Sequence, residues 1–145
     1  MRPLLRLRQT AGISGPERVA LLWALVLVLG VRVALWTLPF RRVETLSGRP
    51  VRTSPTLAKV RPLRLSWAVQ AVAKRMPGAT CLTQALALKM LLARSGRSGS
   101  LHIGVAKDRE RGFESHAWLE LDGEVLVGEV ENFSRFRPLY TVAAA

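Results

Sequence analysis

The chain holds one cysteine, Cys81, and it stands where a nucleophile would be useful. The breaker-containing stretch Met76-Pro77-Gly78-Ala79-Thr80 precedes it, and a helical run from Cys81 to Ser95 follows. His116 comes thirty-five residues later, in the strand-like segment Ser115 to Leu121. A thiol attacks well only as its thiolate. A helix N-terminus favours that anion through its exposed N–H groups, and a neighbouring imidazolium favours it further. Cys81 has the first, and His116 on a packed strand could supply the second. The same helix-end N–H groups could hold the oxyanion that forms on an attacked carbonyl. A cysteine at a helix start followed by a histidine on a strand therefore points to acyl-transfer chemistry.

Such a histidine needs a group to orient it. Asp122-Gly123 is a strong two-residue hairpin signal. In an unbroken hairpin Leu121 faces Glu124, Leu119 faces Leu126 and His116 faces Glu129. Directly opposed side chains share a face, so Glu129 is the expected orienting acid. A bulge would move the register by one residue and make Glu131 the fallback. Asp122 is an alternative acid by type, but it sits at the turn tip. Gln70 and Gln84 are oxyanion donors by type. Trp118 could wall the site against water. His102 has a base's chemistry, but its strand reads as interior with no carboxylate opposed. The plainer readings stand beside these: a cysteine is often a buried apolar filler, and His116 could be a half-buried strand residue.

The elements that must position these residues follow from periodicity. Ser14-Gly15-Pro16-Glu17 is a helix start, and Pro39 is a stop, so a helix is expected from Pro16 to Leu38. Arg41 to Arg61, with Pro50, Pro55 and Gly48, reads as a connector. Leu63 to Arg75 reads as a helix, with Leu65, Val69 and Val72 at helical spacing and Ser66 a local cap. The helix after Cys81 is apolar on more than one side, through Leu82, Leu86, Leu88, Leu91 and Leu92, and so is central. Gly96 ends it. Leu101, Ile103 and Val105 alternate as a strand. Lys107 to Gly112 is a charged turn, Phe113 to Leu121 a second strand, and Glu124 to about Val130 the returning one. Glu131 to Ala145 is short and ends in small residues. The fold class is α+β, with N-terminal helices followed by a small antiparallel sheet.

A chain of 145 residues is expected to bury one core without disulfides, and one cysteine fits a reducing, cytoplasmic compartment. The balance of 22 Lys+Arg against 10 Asp+Glu favours acidic partners of any kind. The Cys/His clusters, basic zippers and aromatic-basic motifs of nucleic-acid binders and metal sites are missing from the sequence. Residues 1–45 form an apolar N-terminal region, 46–62 a connector and 63–145 the domain bearing Cys81 and His116. Val19 to Val31 carry no charge. Burial of the Pro16–Leu38 helix against the domain or a partner protein leads the readings. Membrane contact comes second, because the uncharged run is short for a span and Arg32 interrupts it. A signal peptide comes third, for want of a small-residue cleavage site.

One resemblance joins these pieces. Cys81-Leu82-Thr83-Gln84-Ala85-Leu86-Ala87-Leu88, Leu91-Leu92-Ala93-Arg94-Ser95-Gly96, Leu101-His102-Ile103-Gly104-Val105 and His116-Ala117-Trp118-Leu119-Glu120 arrive in order. Together they resemble the transglutaminase-like leader peptidases of lasso peptide biosynthesis, the B-proteins, of the split kind that carries only the protease half. The resemblance implies a transglutaminase-like, papain-like cysteine protease fold and no cofactor or metal. It implies Cys81 as nucleophile and His116 as base. Family members can carry an aspartate after the hairpin, where this chain has Gly128-Glu129. The implied substrate is a ribosomally made precursor peptide, and the implied partners are a separate leader-binding protein and a macrolactam synthetase. Pro16–Leu38 is a candidate docking surface for either. A non-catalytic, membrane-associated or scaffold binding module of the same fold is the alternative, and a true transglutaminase a third.

Overall fold

The computed structural model describes residues 13–108, 112–128 and 137–142. Among the described residues five helices come first, α1 (Gly15–Thr37), α2 (Phe40–Ser47), α3 (Pro55–Ala58), α4 (Pro62–Lys74) and α5 (Cys81–Arg94). Four strands follow, β1 (Ser100–Asp108), β2 (Gly112–Leu121), β3 (Glu124–Val127) and β4 (Arg137–Val142). The sheet is antiparallel with order β3-β2-β1-β4. The α+β expectation holds.

The ends of α1 follow from local chemistry. The Ser14 hydroxyl accepts from the Glu17 N–H at 3.3 Å, and the Ser14 N–H donates back to Glu17 Oε2 at 3.4 Å. This reciprocal cap satisfies two donors that the first turn leaves open. Leu38, extended at φ −123° and ψ 151°, closes the helix because Pro39 disfavours helical geometry before it. Arg64 of α4 grips Glu17 with both arms of its guanidinium, at 3.0 and 2.7 Å. Ala20, Ala24, Leu27, Val28 and Val31 form the buried face of α1, which packs on α4 and α5.

α5 is the centre of the core. Ala85, Leu86, Ala87, Leu88, Leu91 and Leu92 are all fully buried, so the helix is enclosed on every side at its middle. Its C-terminus is closed by Gly96 at φ +85°, with Gly96 N–H donating to the Ala93 carbonyl and Arg97 N–H to that of Leu92. These paired bonds form a Schellman motif, and glycine alone adopts its left-handed residue without a Cβ penalty.

Several expectations change. The connector expected over Arg41 to Arg61 contains α2 and α3, because Pro39 and Ser54-Pro55 start helices as well as stop them. Residues of α1 share one hydrophobic cluster with α5 and the sheet. Ser66 does not cap α4. It is buried, and its hydroxyl donates to the Leu126 carbonyl of β3. The returning strand ends at Val127, three residues early, and β4 is a strand where none was expected. Pro138 weakens the local signal for β4, which pairs only at the sheet edge beside β1.

The Glu17–Arg64 pair gives a pH test. The guanidinium holds the Glu17 carboxyl below its ordinary value of 4.5, chiefly through the side-chain hydrogen bond. Its ionised form therefore stabilises the fold above that value, and the contribution is lost as pH falls through the lower folded value. Glu17→Gln keeps the cap geometry and removes the charge. Urea unfolding should show a loss of about 1 kcal/mol at neutral pH. The difference from wild type should vanish at strongly acidic pH.

Candidate functional site

Thr80 caps α5, and Cys81 is its first residue. The Thr80 hydroxyl accepts from the Thr83 N–H at 3.3 Å, and the Thr80 carbonyl accepts from the Gln84 N–H. The N–H groups of Cys81 and Leu82 are thus first-turn donors with no acceptor inside the helix. Cys81 itself is half-buried, packed against the edge of the core.

β2 packs on α5 and carries His116. The geometry of the turn between α5 and β1 relates the two residues. A Cβ on Gly99 would lie 3.1 Å from Leu92 and 3.3 Å from Leu119, so those leucines meet beside the turn. Cys81 lies eleven residues back along α5, about 16 Å from Leu92. His116 lies three residues back along β2, about 10 Å from Leu119. Both lead away from the Gly96–Gly99 turn.

Strand alternation separates two faces of β2. Ala117 and Leu119 face the helices and belong to the core cluster. His116, Trp118 and Glu120 face the other way. Trp118 is buried there and stacks between two imidazoles, 5.4 Å from the His102 ring and 6.3 Å from the His116 ring. Its indole N–H donates to Glu120 Oε1 at 3.1 Å. Glu120 Oε2 lies 3.4 Å from His102 Nε2. Gly104 is the cross-strand partner of His116, so no side chain competes with the imidazole at that position.

The orienting contact is a main-chain one. His116 Nε2 meets the carbonyl oxygen of Gly128. A carbonyl only accepts, so this contact puts the proton on Nε2 and leaves Nδ1 as the basic nitrogen of the neutral ring. Gly128 has φ +85°, and a Cβ there would strike the Ala117 carbonyl and come within 2.9 Å of Trp118 Cα. Only glycine fits, and that fit carries its carbonyl to the imidazole.

The hairpin register explains why the expected geometry differs. Leu121 faces Glu124 and Glu120 faces Val125, as an unbroken hairpin requires. Both Asp122 (φ 52°) and Gly123 (φ 83°) take the left-handed conformation of a two-residue turn. A bulge then intervenes between Leu119 and Glu120, and Leu119 faces Val127 instead of Leu126. The register that singled out Glu129 is therefore displaced by one. Glu129 and Glu131 themselves lie outside the described residues. Asp122, exposed at the tip, is about 20 Å along the strand from His116. Gln70 sits on α4, where its Nε2 donates to the Ser66 hydroxyl at 2.9 Å. Gln84 is half-buried on α5. His102, expected to lack a carboxylate, has Glu120 beside it as a diagonal neighbour. The His116-x-Trp118-x-Glu120 spacing was a readable sign that these three share a face; nothing in the sequence marks the Gly128 carbonyl.

Gly128→Ala tests this packing. The added methyl meets backbone on both sides, and the positive φ adds strain. The expected cost is about 2 kcal/mol or more, read as a fall in the thermal midpoint with the helix content retained.

Comparison with known proteins places the chain. No curated protein matches it, and no solved structure matches it. A family model described as the transglutaminase-like superfamily matches residues 25–141. That span runs from the middle of α1 through β4 and takes in both Cys81 and His116, so the chain belongs to the transglutaminase-like superfamily.

Proposed function

We propose that the protein is a cysteine peptidase that removes the leader from a ribosomally synthesised lasso peptide precursor. Two observations support this reading: Cys81 is the first residue of a buried helix, and the family match takes in both Cys81 and His116. The motifs shared with the split B-proteins supply the substrate class.

The chemistry is acyl transfer to water. The reaction requires the His116 imidazole, which rests on the outer face of β2, to be brought to Cys81; its Nδ1 then takes the thiol proton, with Nε2–H donated to the Gly128 carbonyl. The thiolate of Cys81 attacks the carbonyl carbon of the last leader residue. The oxyanion is received by the N–H groups of Cys81 and Leu82. The C–N bond breaks, and the His116 imidazolium protonates the leaving amine, which is the new N-terminus of the core peptide. Water then attacks the thioester, passing its proton through His116, and frees the leader carboxylate and the thiol. A separate leader-binding protein presents the precursor, and a macrolactam synthetase consumes the freed amine. Glu129, next to Gly128 in the chain, is a proposed third residue on its sequence position.

A second reading has its own observation. His116 lies on the face of β2 turned from the helices, which favours a binding module that retains the fold without catalysis.

Mass spectrometry of a precursor incubated with this protein and its leader-binding partner separates the two. Wild type should release the leader. Cys81→Ala should abolish release, and His116→Ala should lower the rate about 10³-fold or more. Because the Gly128 carbonyl already orients the ring, Glu129→Ala should cost less than about tenfold; a loss near 10³-fold would make Glu129 a member of a triad. Uncleaved precursor with folded wild type and its partner present would leave the binding module standing.

A further inference from the structure

The outer face of α1 is apolar from Leu22 to Trp36. Leu22, Leu25, Val26, Leu29, Val33 and Trp36 are exposed at helical spacing, Leu22 by 65 % and Trp36 by 79 %. Leu46 of α2 extends this face across a groove of about 210 Å³ that also involves Val26, Gly30, Ala34 and Met90. Exposed apolar surface of this continuity marks an interaction site.

Its surroundings identify what it meets. Arg18 stands one turn before Leu22, and Arg42 one turn before Leu46, so exposed cations flank the apolar face on both helices. Arg41 and Arg49 are exposed beside them. The two acids on α1 and α2 are both engaged by cations. Glu17 is held by Arg64, and the charge of Glu44 acts on the half-sunk ammonium of Lys89. The exposed charges beside the stripe, those of Arg18, Arg41, Arg42 and Arg49, are all positive. Trp36 lies at its C-terminal end with the Arg32 guanidinium 5.1 Å over its ring. Aliphatic stripe, terminal tryptophan and arginine flanks are the pattern of a helix lying in an anionic bilayer interface.

The helix has the length and apolarity of a span, with a mean hydropathy of 2.4. The packing argues against spanning. Ala24 and Val28 are completely buried on its inner face, within the cluster that holds α4 and α5. Drawing α1 across a bilayer would open that core.

We propose that α1 and α2 dock the protein in the plane of an anionic membrane surface, the Leu22–Trp36 stripe sunk into the headgroup boundary. The C-terminal end of the stripe adjoins the turn before Cys81. A Cβ on Gly78 would lie 2.8 Å from Arg32 Nη2, so the arginine that covers Trp36 also packs on the turn three residues before Cys81. This proposal stands independently of whether Cys81 is catalytic.

The test is sedimentation of the full chain with vesicles of phosphatidylcholine alone or mixed with phosphatidylglycerol. Wild type should bind the mixed vesicles, lose binding as salt rises, and be released by alkaline carbonate. The double variant Leu25→Glu/Leu29→Glu and the double variant Arg41→Glu/Arg42→Glu should each bind at least about tenfold more weakly. Both alter exposed positions, and unchanged circular dichroism and thermal midpoint show that they fold. Brominated lipid should quench wild-type fluorescence more than that of Trp36→Phe. Failure of wild type to bind anionic vesicles would overturn the proposal, as would equal binding by the Leu25/Leu29 variant. Carbonate-resistant retention would replace docking with a span. A lipid-free wild-type dimer that this variant converts to monomer would assign the face to a second copy of the chain.

Discussion

The burial of α5 on all sides is the constraint on which the rest depends. A helix with Ala85 to Leu88 and then Leu91 and Leu92 completely enclosed cannot stop at one packed face. It needs α1 and α4 on one side and the sheet on the other, and the contacts run that way. Thr80 and Gly96 fix its two ends, so Cys81 begins the helix as a matter of capping chemistry. The nucleophile candidate is therefore set by the same packing that holds the domain together.

A second constraint acts across the sheet. The bulge between Leu119 and Glu120 and the left-handed Gly128 are one local event. Together they end β3, press the backbone at Gly128 against Ala117 and Trp118, and aim a carbonyl at His116. Trp118 then holds the imidazole from the side, and Glu120 ties Trp118 and His102 into the same layer. A main-chain group so placed orients the histidine without depending on the side chain next to it.

Much of this was legible before any geometry. The capped start at Ser14, the helix start at Cys81, the stop at Pro39, the glycine closing α5, the alternation in β1 and the Asp122-Gly123 turn are local events, and local chemistry decided them. α2 and α3 were hidden because proline and glycine punctuate a connector and a set of short helices alike. β4 was hidden because its partner, β1, lies more than thirty residues away and Pro138 disguises it. Ser66 could be read only as polar within a helix; its role as donor to the Leu126 carbonyl belongs to the tertiary fold. The register from which Glu129 was read shifts at a one-residue bulge that the sequence does not mark, because one extra residue moves every later pairing along a strand. The Leu22–Trp36 stripe was legible as apolar but not as exposed, since only packing chooses which side of an all-apolar helix faces inward.

The serine on α4 also governs how the sheet can be used. β3 is an edge strand, and an edge ordinarily offers its carbonyls and N–H groups to an extended peptide that joins as another strand. The Ser66 hydroxyl already occupies the carbonyl of Leu126, and α4 lies along that margin with Gln70 bound to the same hydroxyl. The β3 margin is closed to strand addition at that point. An extended peptide pairing along β3 would have to do without the carbonyl of Leu126, which the serine already holds.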